Sequence, residues 1–143
     1  MRCALPRTGD APLVADVDVL AKCSTQRLGG REYARWHALE LYQDVLGPYI
    51  LRIGYCTSWQ GEHGYDWAAR VGDADAVRAA RRDHDCTAYV AGFPPGQAYA
   101  AKQERLLDEI EHRYDLAVSA VLGALVEHLQ RMGAPPLRDE ATP

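Results

Sequence analysis

Residues 36–59, WHALELYQDVLGPYILRIGYCTSW, decide the fold. Two runs rich in aromatic and β-branched residues flank a turn-forming DVLGP at 44–48, the signature of a β-hairpin. With 44–48 as a five-residue loop, Gln43 faces Tyr49 and the pairing continues in step. Leu41 then lies opposite Leu51 and Leu39 opposite Ile53 on one face, while Glu40 lies opposite Arg52 on the other. Apolar pairs on one face and an opposite-charge pair on the other are what a half-buried antiparallel sheet requires.

The pattern extends toward the N-terminus. Leu13, Ala15, Val17, Val19, Ala21 and Cys23 alternate with Asp16, Asp18, Lys22 and Ser24, the period of a strand. It is expected to end near Leu28, before Gly29-Gly30. A three- or five-residue turn around Gly30 would set Ala21 beside Leu39 and Val19 beside Leu41, with every odd position inside. That gives a three-stranded meander over residues 13–59. Residues 1–12, with two prolines and a Thr-Gly-Asp turn signal, read as a loose arm.

A sheet with one apolar face needs helices over it. Asp73 is a fitting N-cap for a short helix at 73–85, with Ala74, Val77 and Ala80 at helical spacing. CTAYVAGF at 86–93 reads as an edge strand or an extended connection, and Pro94-Pro95-Gly96 as punctuation. Residues 97–132 are a long helix, striped by Leu106, Ile110, Tyr114, Ala117, Val121, Leu125, Leu129 and Met132. Unbroken, it would measure about 54 Å, against a diameter of roughly 38 Å for a compact domain of this length. It must break, with Asp115 capping a second segment, or project. The half at 115–132 is apolar almost all round, and either fills the core or forms a homodimer seam. Residues 134–143 are expected to be a disordered tail. The fold class is α+β in one domain, 13–133: a three-stranded antiparallel meander packed against a short helix and a long C-terminal one.

Composition narrows function. A chain of 143 residues, 25% charged and 48% hydrophobic, is ordinary globular material, and a net charge of −4 gives no global attraction to nucleic acid or anionic lipid. The four cysteines, Cys3, Cys23, Cys56 and Cys86, show no CxxC and read as reduced thiols. No apolar leader or membrane-length run is present, so a cytoplasmic protein is expected.

Chemistry has few candidates. Cys23, His37 and Tyr55 fall together on the inner face in the expected register, so a small enzyme using a Cys/His pair is one reading. A metal could draw on His63, His84, Cys86 and Asp66, or on Asp83 and Asp85, but only His84-x-Cys86 approaches ligand spacing, and no metal or cofactor is expected. His63 with Glu62 could serve acid/base work. For nucleic acid, Arg27, Arg31 and Arg35 form a basic stretch, with Trp36, Tyr42 and Arg52 on the outer sheet face; Asp16, Asp18 and Glu40 share that face, so nucleic acid is the alternative. Binding of another protein fits more of the sequence, with Trp36, Tyr42, Arg52, Trp59, His63 and Trp67 as contact residues, because tryptophan, tyrosine and arginine are enriched at interfaces.

At RWHALELYQDVLGPYILRIGYCTSWQGE, residues 35–62, the chain resembles small uncharacterised proteins of phages, plasmids and integrative elements of GC-rich bacteria. The resemblance covers about a fifth of the chain and carries no catalytic residue. It implies an accessory protein that acts by binding, including inhibition of host defence such as CRISPR systems.

Overall fold

The computed structural model describes residues 1–90 and 96–133. In chain order its elements are β1 (Arg2–Arg7), β2 (Asp10–Ser24), β3 (Arg27–Leu28), β4 (Arg31–Glu32), β5 (Arg35–Asp44), β6 (Tyr49–Thr57), β7 (Tyr65–Val71), α1 (Ala74–Asp83) and α2 (Gln97–Arg131). The architecture is α+β. Five antiparallel strands, in the order β1-β2-β5-β6-β7, form one sheet, and β3-β4 is a separate two-stranded hairpin.

The β5–β6 pairing is the one the side-chain pattern demands: Gln43 faces Tyr49, Leu41 faces Leu51, Leu39 faces Ile53 and Glu40 faces Arg52. The sheet, however, has five strands rather than three. The N-terminal residues read as a loose arm form β1, which pairs antiparallel with β2. β1 is an edge strand, where Pro6 removes no ladder hydrogen bond that the sheet needs. Residues 65–71, between the expected meander and the short helix, are likewise a strand, with β7 paired to β6 from Tyr49–Val71 to Tyr55–Tyr65.

A second correction concerns β2. Ala21 pairs with Leu41 and Cys23 with Leu39, two residues away from the expected register, and the ladder shifts between Val19 and Ala21. The extra residue, Leu20, is a bulge, and a bulge exchanges the faces of everything before it. Odd positions up to Val19 therefore face one side of the sheet, and Ala21 and Cys23 the other. Space for the offset comes from the β3-β4 hairpin, whose two-residue turn at Gly29-Gly30 has φ of +59° and +78°, the left-handed geometry that matches strand twist.

Both faces are consequently buried. Leu39, Leu41, Leu51 and Ile53 pack with Val77 of α1 and with Tyr114, Ala117, Val118, Val121 and Leu125 of α2. On the other face Leu5, Ala15, Val17, Tyr42, Ile50 and Ala68 form a second core with a residue from every strand of the sheet. The sheet curls around this second core, and β1 approaches β7, where the Thr8 amide donates to the Asp66 carbonyl at 2.7 Å and the Asp66 amide to Thr8 Oγ1 at 2.8 Å.

α1 is capped by Asp73, whose carboxylate accepts from the Ala76 amide, and ends at Asp83, two residues before the expected boundary. α2 is one helix with no break at Asp115, about 52 Å long at 1.5 Å per residue. Its buried stripe begins at Ile110 and runs through Tyr114, Ala117, Val118, Val121 and Leu125, so its first turns extend past the core. Among the described residues no helix is long and apolar enough to cross a membrane. Residues 86–89 form turns; the remainder of the 86–93 segment from 91 onward, and the tail at 134–143, lie outside the described residues.

Candidate interaction surface at Trp59

The β5–β6 register sets Arg35 opposite Thr57 and His37 opposite Tyr55, at the end of the hairpin away from the 44–48 turn. Beyond Thr57 the chain turns back at once. The Ser58 amide donates to the Ala34 carbonyl at 2.9 Å and the Glu62 amide to the Trp59 carbonyl at 3.2 Å. Gly64 permits the close return, since a Cβ there would sit 2.8 Å from the Tyr55 carbonyl oxygen.

This turn drives a carboxylate inward. The Glu62 side chain is 1% exposed. It accepts from Arg35 Nε at 2.9 Å on both oxygens and from the Tyr55 hydroxyl. Burial, reinforced by that hydrogen bond, raises the Tyr55 pKa and keeps the phenol protonated. The Arg35 guanidinium lies 5.0 Å from the Trp59 ring centroid. Trp59 itself is 55% exposed. A large aromatic side chain is thus held at the surface by a cation that is fixed from beneath.

Arg113 of α2 fixes the same end. It is buried, donates from Nη1 to the Arg35 carbonyl at 3.0 Å and lies 3.7 Å over the Tyr33 ring. Burial lowers its pKa. Its place on the buried stripe of α2, one residue before Tyr114, is the sequence signal that went unused: a cation on an apolar helix face needs a partner.

The other expected contact residues lie apart. Trp36 is half-buried opposite Cys56. Trp67 packs partly against the helix-side core. His63 is exposed while Glu62 is turned away from it into Arg35, so the proposed acid/base pair is split. Tyr42 is buried in the curl beside Ile50 rather than displayed on an outer face. Arg52 is held by Glu40 at 3.3 Å and Asp66 at 2.8 Å. Of the basic stretch, Arg35 is buried, Arg27 faces Glu32 at 3.5 Å and Arg31 faces Glu109 at 4.0 Å. The sheet face assigned to nucleic acid is therefore the inside of the curl, and Tyr42 is not free to stack on a base.

Cys23 lies opposite Leu39 rather than beside His37 as the expected register had it. Its thiol pKa is raised by burial, and that of Cys86 is pushed up to about 12 for the same reason; a protonated thiol is a poor nucleophile. Among the described residues no group of three or more His, Cys, Asp or Glu could hold a metal ion, so His63, His84, Cys86 and Asp66 are not assembled into a site.

His37 is instead the buried centre of an aromatic cluster, with ring centroids 4.9 Å from Tyr114 and 5.3 Å from Tyr55. Burial, helped by nearby His84 and Arg113 and opposed by the Cys86 backbone, pushes its pKa down to about 4. The unfolded chain therefore takes up this proton first as pH falls below the ordinary value of about 6.5, and stability is full above that pH and lost on the way to 4. At pH 5 the loss amounts to about 2 kcal/mol, and the depressed pKa of His84 acts in the same direction. Urea titrations at pH 7.5 and pH 5 are expected to show it. His37→Gln flattens the dependence.

No protein-family model matches this chain, and searches of curated proteins and of solved structures find no significant match to it.

Proposed function

We propose that this chain is a non-enzymatic binding protein whose target is another protein, with Trp59 as the central anchor. The observation that carries the reading is the mounting of Trp59: more than half exposed, lying over Arg35, which is itself gripped by buried Glu62. Energetic centres of protein interfaces are enriched in tryptophan, tyrosine and arginine. A side chain already fixed before binding loses less conformational entropy when the partner arrives. Exposing an indole costs solvation free energy that a solitary fold recovers by turning it inward; here the framework holds it out.

The resemblance of residues 35–62 to proteins of mobile elements supports an accessory or regulatory role, with a component of a host system, such as a CRISPR-type defence complex, as the partner. Leu116, half-exposed on α2, supports the additional reading that residues 115–132 form a homodimer seam; light scattering that returns the mass of one chain would remove it.

The test is affinity purification from the native host with wild type and Trp59→Ala side by side, followed by mass spectrometry. A protein retained by wild type and depleted at least tenfold by Trp59→Ala, with unchanged circular dichroism, is the expected result; a tenfold change corresponds to about 1.4 kcal/mol, more than most interface residues contribute. Recovery of the same proteins in the same amounts by both would defeat the reading.

A further inference from the structure

Apart from the Trp59 surface, we propose that the cleft between β7 and the chain leaving α1 binds a guanidinium group, presented as an arginine side chain of a peptide. The cleft measures about 300 Å³ and is lined by Tyr65, Trp67, Tyr89, His84, Asp83 and Asp85. Its wall is a run of rings. Tyr65 and Tyr89 are stacked at 4.6 Å with 20° between planes, His84 lies 5.4 Å from Tyr65, and Trp67 lies 6.2 Å from His84. Tyr89 is 43% exposed, so the stack ends on a ring that solvent reaches.

Rings and carboxylates in one cleft select a planar cation. A guanidinium stacks on an aromatic face and at the same time donates in a fork to a carboxylate, and it is less strongly hydrated than an ammonium. Asp85 is held in place, accepting on Oδ1 from the Thr87 amide at 3.0 Å and the Thr87 hydroxyl at 2.9 Å. The nearest cations do not neutralise the cleft. Arg81 is engaged by Asp115 at 2.8 Å, and the neighbouring hollow, which shares Asp83 and Asp85 with the cleft, sets Arg81 and Arg82 against those two carboxylates together with Glu111 and Asp115, two cations against four acids. An anion would meet two carboxylates here, and a purely apolar group would offer neither of them a donor. This site does not depend on Trp59, which lines neither hollow.

The experiment is an NMR titration of the full chain with N-acetyl-arginine amide, with the lysine and glutamine analogues as comparisons. Saturable shifts confined to residues 65–67 and 83–89 are expected, weakened about fivefold by Tyr89→Ala, a change at an exposed ring worth that much in a cation–π contact, and weakened likewise by Asp83→Asn. The lysine analogue binds more weakly and the glutamine analogue not at all. Trp59→Ala titrates as wild type, which separates failure here from failure of the Trp59 reading. Absence of shifts in the cleft, equal binding of the lysine or glutamine analogue, or wild-type affinity in Tyr89→Ala would each overturn the assignment.

Discussion

Replacing Arg35 with alanine is expected to remove about 3–5 kcal/mol of folding stability, the cost of leaving the partner of a buried ion pair uncompensated. Glu62, 1% exposed, would keep the Tyr55 hydroxyl but lose the cation that meets both of its oxygens. For a chain of this length the loss lowers the melting temperature by about 10–17 °C. Arg35→Lys keeps the charge but not the two-oxygen geometry, and falls between. Arg27→Ala is the control. Arg27 pairs with Glu32 at 3.5 Å with both side chains largely exposed, and exposed pairs contribute at most about 1 kcal/mol. Thermal melts of the three variants decide the matter. If Arg35→Ala melts with Arg27→Ala, the pair is not the support of this end of the sheet. Stability and Trp59 are linked here, since Arg35 is also the cation under the indole.

The second large effect separates two valines that the sequence treats alike. Val17 and Val19 are consecutive members of one alternating run, yet Val17 is 3% exposed inside the curl and Val19 51% exposed. Val17→Lys places an ammonium among Leu5, Ala15, Tyr42, Ile50 and Ala68, and is expected to cost roughly 4 kcal/mol or to prevent folding, as burial of an unpaired charge does. Val19→Lys stays within about 0.5 kcal/mol of wild type, as exposed substitutions do. Urea midpoints of the two variants give the comparison. Equal losses would mean that the ladder does not shift at Leu20 and that Val19 lies in the core beside Leu41, as a regular meander would have it.

That contrast also shows where sequence reading stops. Alternation reports which residues share a face, and it identified the β5–β6 register because apolar and charged pairs segregate cleanly there. It cannot report which of two buried faces a residue joins. Leu20 is an ordinary apolar residue with no glycine or proline to mark a bulge, so the register was read one residue out before it and two residues out after it. The N-terminal prolines were read as breakers, although Pro6 occupies an edge strand, where proline is tolerated. YDWAARV lacks strict alternation because both faces of β7 are covered, with Ala68 in the curl and Trp67 and Val71 against the helices.

The candidate site was legible in its letters more than in its geometry. Trp59 was named as a contact residue. Glu62 was named for acid/base work beside His63, and the turn through Gly64 instead carries it under Arg35. Arg35 was read as part of a basic stretch for nucleic acid, because nothing nearby in sequence shows that a carboxylate 27 residues later reaches it. Long-range ion pairs of this kind are set by the loop geometry, which spacing does not reveal.

The central claim is that Trp59, mounted on Arg35 and Glu62, anchors a protein partner. Calorimetric titration of the purified partner against wild type and Trp59→Ala tests it most directly. A loss of at least thirtyfold in affinity is expected, about 2 kcal/mol, the threshold for an interface centre, with the fold intact. An affinity equal to that of wild type would contradict it.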